Sequence, residues 1–136
     1  MKKIFLVILM VMFISGVAFA SQGSVDKVFD NEVIAKSGVV TSRAFRVNSS
    51  DTFGAWLKQT ATVTGSPSLD IELEQSYSGA TNTWATSTTL IMDDWTNSDV
   101  ASVTTISPTP MKWMRFKATE NGVTGTTLNM YLFSQG

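Results

Sequence analysis

Cysteine and histidine are both absent from this chain of 136 residues, and charged residues make up only 15% of it. Thiol nucleophiles, disulfides, imidazole bases and most transition-metal sites therefore lack their usual side chains. The sequence also contains no serine in a G-x-S-x-G turn and no glycine-rich loop of the kind that binds phosphate. We expect a protein that is not an enzyme and that uses no cofactor.

Helical periodicity is also lacking beyond the first twenty residues, because Thr, Ser or Gly interrupts every candidate apolar pattern of helical spacing. Thr is abundant there, and its branched Cβ favours the pleated, half-buried surface of a β-sheet. The chain is therefore predicted to be all-β.

The N-terminal segment has the features of a secretory signal. Lys2 and Lys3 precede an apolar run, and Ala18-Phe19-Ala20 supplies the small residues at which signal peptidase cuts. We assign residues 1–20 to a cleaved signal peptide, with an uncleaved anchor as the alternative. A chain exported without cysteine fits the secreted, periplasmic or cell-surface proteins of bacteria, and its contact with the membrane is expected only through the signal.

Cleavage would remove two of the ten basic residues and leave eight against eleven acidic ones. A net negative chain is a poor partner for nucleic acid. The remaining length suits one domain, which we place at residues 32–136 after a flexible arm at 21–31. Short strands with frequent turn signals predict a single antiparallel β-sandwich, of jelly-roll or immunoglobulin-like type.

Two hairpins are predicted from alternating patterns. The first joins the strands on either side of Gly65-Ser66-Pro67, and the second is centred on Gly122. The first register pairs Val63 with Leu69, Ala61 with Ile71 and Lys58 with Glu74; the second pairs Phe116 with Leu128, Met114 with Met130, Trp113 with Tyr131 and Met111 with Phe133. Asp70, Glu72 and Glu74 then form an exposed acidic stripe for which Lys58, Arg115 and Lys117 are the candidate partners.

The second hairpin is apolar on both faces, although a sandwich strand needs only one buried face. The outer set comprises Met111, Trp113, Tyr131 and Phe133. We predict these four residues to be an interface with another copy or an assembly partner, with cover by the arm or by residues 78–99 as the alternative.

Two further candidate sites lie in the weakly patterned stretch at residues 78–99. Trp84 and Trp95, with Tyr77, offer flat aromatic faces on which a glycan could stack. Asp93, Asp94, Asn97 and Asp99 carry oxygen ligands suited to calcium. An acidic turn stabilised by its own hydrogen bonds is the favoured interpretation of the second group, so no metal is predicted.

The segments Ser68-Leu69-Asp70-Ile71-Glu72-Leu73-Glu74-Gln75-Ser76-Tyr77, Trp84, Trp113-Met114-Arg115-Phe116-Lys117-Ala118-Thr119 and Tyr131-Leu132-Phe133 resemble small β-sandwich structural proteins of phage and prophage-like virions. The resemblance extends over about residues 42–135. It implies a non-catalytic structural or attachment role. With the signal peptide, this predicts a subunit of an exported surface or virion-like assembly. A carbohydrate-binding module that uses the loop tryptophans is the alternative function.

Overall fold

Strands dominate the computed structural model, which describes residues 25–48, 52–96, 98–107 and 111–134. These residues form no helix, so none of them spans a membrane in helical form. The strands are β1 (Val25–Ile34), β2 (Val39–Thr41), β3 (Phe45–Arg46), β4 (Phe53–Ala61), β5 (Leu69–Ser76), β6 (Ala85–Trp95), β7 (Ala101–Ile106), β8 (Trp113–Glu120) and β9 (Thr126–Ser134).

The strands form two antiparallel sheets. Sheet A has the order β1-β9-β4-β7, and sheet B has the order β2-β8-β5-β6, with β3 also pairing with β8. The all-β, antiparallel prediction is thus confirmed. Because β2 and β3 are successive partners of β8, they act as one interrupted strand. The first strand, β1, thus pairs with the last, β9, and the second, β2, pairs with the last but one, β8.

Alternating side chains from both sheets form one buried cluster. Every second residue of β8, from Met114 to Ala118, is fully buried, and the same holds in β9 from Leu128 to Met130. Full burial of such a side chain contributes about 1.5–3 kcal/mol. In a chain without disulfides, this shared core and the strand ladders must supply the stability.

Both predicted hairpins are wrong. β4 and β5 lie in different sheets, and so do β8 and β9. β4 instead pairs with β7 and β9, while β5 pairs with β6 and β8. Two strands that face each other across a core bury the same alternate positions as two strands that share a sheet, so the alternation alone could not distinguish the arrangements.

The predicted flexible arm requires a correction as well. Residues 25–31 belong to β1 and pair with β9 at the edge of sheet A. Val28 and Phe29 are buried there, and this gain in apolar burial offsets the entropy lost by ordering the segment. Residues 1–24, which include the predicted signal peptide, lie outside the described residues.

A buried carboxylate joins two loops at one end of the sheets. Glu120 is fully buried, and its Oε1 accepts the backbone N–H groups of Ser68 and Gly122, each at 2.8 Å. The loops approach so closely that a Cβ at Gly122 would lie 2.5 Å from Ser68 N. Glu120 therefore holds the β4–β5 loop against the β8–β9 loop.

Candidate functional site

An apolar surface crosses all four strands of sheet A on the side away from the core. Directly opposed residues of antiparallel strands point to the same face. One such row contains Val25, Phe133, Gly54 and Thr105, and the next contains Lys27, Tyr131, Trp56 and Val103. Five of these, namely Val25, Trp56, Val103, Tyr131 and Phe133, are large apolar or aromatic residues, and we call them the sheet A patch.

Three members of the sheet A patch are well exposed, and the two aromatic rings between them are half-buried. The exposed fractions are 57% for Val25, 74% for Val103 and 42% for Phe133. Trp56 and Tyr131 form a tilted aromatic pair, with ring centroids 5.6 Å apart and planes inclined by 51°. Exposed apolar residues grouped in this way mark contact surfaces more often than isolated ones do.

Gly54 leaves a shallow gap beside Phe133. A Cβ built at this position would meet no other atom within 4 Å, and the backbone does not have the positive φ that favours glycine. Neither strain nor crowding therefore requires a glycine here. Glycine in the interior of a strand often marks a place where another chain or a ligand approaches closely.

A polar group borders the sheet A patch at the β1 edge. Lys27 Nζ lies 2.8 Å from Asp30 Oδ2, and the Tyr131 hydroxyl donates to Asp30 Oδ1 at 3.4 Å. The hydrogen bond from Lys27 lowers the pKa of Asp30, and the same bond raises the pKa of Lys27. Asp30 thus accepts hydrogen bonds from both Lys27 and Tyr131 at this edge.

The structure divides the predicted interface residues between the two sheets. Tyr131 and Phe133 belong to the sheet A patch, whereas Trp113 lies in sheet B and the 39% exposed Met111 precedes it. The Trp113 ring is covered by a turn in which Ser76 Oγ accepts the N–H of Gly79 at 2.9 Å. A Cβ at Gly79 would lie 3.2 Å from that ring. The turn at Gly79 therefore contacts the Trp113 ring, whereas Met111 is exposed.

The outer face of sheet B carries the predicted ion pairs. Arg115 Nε lies 2.6 Å from Glu74 Oε2, and Lys117 Nζ lies 2.7 Å from Glu72 Oε2. Lys58, the other candidate partner, lies in sheet A and cannot reach this face. The two outer faces thus differ: sheet B carries charges that are paired within the chain, and sheet A carries the sheet A patch.

Only part of the predicted glycan site is accessible. Trp95 is 8% exposed and belongs to the core cluster, so its ring cannot stack on a ligand. The Arg115 guanidinium lies 4.3 Å from the centroid of the Trp84 ring and occupies one of its faces. Tyr77 is 67% exposed. The buried position of Trp95 corrects the prediction, because the C-terminal end of β6 carries it into the core.

The acidic turn brings together a different set of residues from the one predicted. Carboxylate oxygens of Asp70, Asp93 and Asp94 lie within 4.8 Å of one another. Asp70 accepts the Asp94 N–H at 2.8 Å and the Asn121 side-chain amide at 2.6 Å. Asp99 is not a member of this group, and Asn97 lies outside the described residues. Local hydrogen bonds thus account for the position of Asp70.

Sequence reasoning missed Val25, Gly54, Trp56 and Val103. Trp56 shares the outer face of β4 with Lys58 and Thr60, a pattern typical of a solvent-exposed strand face. Val25 and Val103 join Trp56 only through long-range pairing with β9 and β4. No local signal in the sequence indicates that pairing.

No protein-family model matches the sequence, and no curated protein is significantly similar to it. Several solved structures resemble the fold. The VP2 subviral particle of infectious bursal disease virus aligns at a TM-score of 0.58 and 11% identity, over 85% of this chain and 33% of that chain. The Gx strain of the same virus aligns at 0.55 and 8%, over 85% and 32%. Tripeptidyl peptidase 2 aligns at 0.57 and 7%, over 84% and 10%.

This chain thus spans a third or less of each of these proteins. At such low identities the likeness is one of fold alone. The chain shares its two-sheet β fold with a part of a virus particle protein and with a part of a peptidase.

Proposed function

We propose that this protein is an exported, non-catalytic structural or attachment protein that works as a subunit of an extracellular, surface or virion-like assembly. The sheet A patch is the observation that carries the proposal. It crosses every strand of one sheet, and its exposed members lie outside the core. Burying them against another molecule would release apolar surface from water at about 25 cal/mol per Å².

The strand order supports an assembly role at the level of fold. Pairing of first with last and second with last but one, in two sheets that share a core, is the arrangement of a jelly-roll β-sandwich. Viral capsid domains and lectin domains use this architecture. Because one fold serves many functions, this argument is an analogy, and the sheet A patch remains the main support.

A second copy of this chain suits the sheet A patch better than a glycan does. Val25, Val103 and Phe133 have no group that could recognise sugar hydroxyls. A glycan site needs polar groups around its aromatic platform, and here Asp30 and Lys27 are already paired with each other on one side. The Trp56–Tyr131 pair nevertheless makes carbohydrate binding the second candidate, at this position rather than at Trp84 and Trp95.

Light scattering coupled to size exclusion, over a concentration series of the purified protein, tests the proposal. The wild type should associate with rising concentration, and Phe133→Ser should weaken association while leaving the melting temperature nearly unchanged. Val63→Ser is the matched control, because Val63 is also exposed but lies in the β4–β5 loop. A wild type that stays monomeric at every concentration would contradict the assembly role.

Binding to a glycan array, lost on Trp56→Ala and retained in Val63→Ser, would instead establish the carbohydrate-binding alternative.

Export has a separate test. Intact mass of the protein recovered from a bacterial periplasm or medium should correspond to a chain that begins at Ser21. Retention of all first twenty residues would contradict the cleaved signal.

A further inference from the structure

Strand β7 differs from the other edge strands in having nothing that prevents another strand from pairing with it. Its six residues, ASVTTI, include no charged residue, no proline and no glycine. It pairs with β4 in an unbroken register from Ile106 to Ala101, and among the described residues it has a strand partner on that side alone. An edge of this kind offers free backbone N–H and C=O groups to a new strand.

The other edges carry the features that normally block such pairing. β1 has two register shifts and the charged residues Asp26, Lys27, Asp30 and Glu32. β6 has three register shifts and ends near Asp93 and Asp94. β2 and β3 contain only three and two residues. Bulges, charges and short length are recognised ways of protecting a sheet edge, and β7 has none of them.

We propose that β7 pairs in antiparallel fashion with β7 of a second copy, about a two-fold axis at Val103. This joins two four-stranded A sheets into one continuous sheet. The inference rests on the proposed assembly function and names its partner. Among the described strands only β7 has an open edge, so this contact is isologous and closes between two copies.

The register follows from the faces of the strand. Opposed residues must point to the same face, so a shift by one residue would place outer side chains opposite inner ones. An axis at Val103 meets this condition. An axis at Thr104 would also meet it, but it would place the buried Ile106 opposite the hydroxyl of Ser102. The axis at Val103 pairs Val103 with itself, Ala101 with Thr105, and Ser102 with Thr104. No charge faces a like charge, and the Ser–Thr pair can form a hydrogen bond.

Continuity of the apolar surface supports a second copy as the occupant. Val103 lies directly opposite Trp56, which in turn lies opposite Tyr131. With the axis at Val103, the sheet A patches of both copies adjoin without a polar gap. The 74% exposed Val103 side chain then gains a neighbour from its counterpart. An unrelated peptide strand would provide hydrogen bonds but not this symmetric match.

A single introduced cysteine tests the geometry directly, because the natural chain has none to compete. A residue that faces itself across an antiparallel pair has a Cα–Cα distance of about 4.5–5.5 Å, within the range that a disulfide spans. Full-length Val103→Cys should therefore form a covalent dimer under mild oxidation. The rate should exceed that of Val63→Cys by about tenfold or more, because the paired edge raises the local thiol concentration.

Charge complementation provides the second test. Val103→Lys and Val103→Glu should each raise the dissociation constant of the dimer about tenfold or more, since like charges would lie directly opposite each other. An equimolar mixture of the two variants should restore the dimer. Both variants should keep the wild-type melting temperature within a few degrees, because Val103 is mostly exposed.

Equal crosslinking of Val103→Cys and Val63→Cys, or no recovery in the mixture, would overturn the β7 proposal. If wild-type association persists in those experiments and still depends on Phe133, the proposed function stands and only the β7–β7 contact is wrong. A wild type that is monomeric at every concentration would overturn both.

Discussion

Trp56 and Tyr131 lie directly opposite each other on β4 and β9, with ring centroids 5.6 Å apart, on the face of sheet A that does not contact the core. Neither ring is needed to fill the interior, which apolar residues of the alternate positions already occupy. Two aromatic side chains kept at the surface beside exposed valines suit contact with another molecule.

Two glycines with different surroundings give the first prediction. Gly122→Ala should destabilise the protein by about 2 kcal/mol or more, because its Cβ would lie 2.5 Å from Ser68 N and 2.6 Å from Ser66 O. Gly54→Ala should be neutral or stabilise by up to about 1 kcal/mol, since glycine weakens a strand interior. Urea unfolding measures both values. Equal losses in the two variants would show that the loop contact at Gly122 is not tight.

The buried carboxylate gives the second prediction. Glu120→Ala should cost about 2–4 kcal/mol, because it leaves the N–H groups of Ser68 and Gly122 without their acceptor. Glu120→Gln retains an oxygen acceptor of the same reach and should cost clearly less. The free energy of unfolding of both variants checks this order. Identical losses would mean that the two hydrogen bonds contribute little.

The ion pair on sheet B gives a pH dependence. The hydrogen bond to Glu72 raises the pKa of Lys117 above its ordinary value of 10.5. The pair therefore stabilises the fold fully below the unfolded pKa, and this contribution is lost as pH rises through the folded pKa. Because the pair is partly exposed to solvent, the effect should stay under about 1 kcal/mol.

The measurement is the difference in unfolding free energy between wild type and Lys117→Met, from about pH 8 to about pH 12. That difference should shrink towards the alkaline end, and Glu72→Gln should behave in the same way. A difference that is constant over the whole range would contradict the assignment.

Trp84 and Trp95, the two tryptophans of the predicted glycan site, should differ in how much stability the protein loses when each is replaced. Trp95→Ala removes a buried core ring and should cost about 3–5 kcal/mol. Trp84→Ala loses the contact with Arg115 and should cost no more than about 2 kcal/mol. Thermal unfolding of the two variants makes the comparison. A larger loss for Trp84 would contradict these positions.

Local patterns were enough to predict an all-β chain, and they indicated Lys58, Arg115 and Lys117 as candidate partners of the acidic stripe without deciding between them. They also identified the buried faces of β5, β8 and β9, because burial in a strand repeats every second residue. Leu69, Phe116 and Leu128 are fully buried, as their alternation predicts.

Strand partnership could not be predicted in the same way. The acidic stripe of β5 could be paired by Lys58 of β4 or by Arg115 and Lys117 of β8, and only the topology decides between them. Burial of residues 25–31 likewise depends on β9, a hundred residues away. For this reason the sequence analysis grouped Trp113 with Tyr131 and Phe133, although Trp113 lies in the other sheet.

The central claim is that the outer face of sheet A is a contact surface. Light scattering of the wild type and Gly54→Lys over one concentration series tests it most directly, because Gly54 has open space and the substitution removes no side chain. The account predicts concentration-dependent association of the wild type, a lower mass for Gly54→Lys, and equal melting temperatures. Identical masses for the two proteins at every concentration would contradict it.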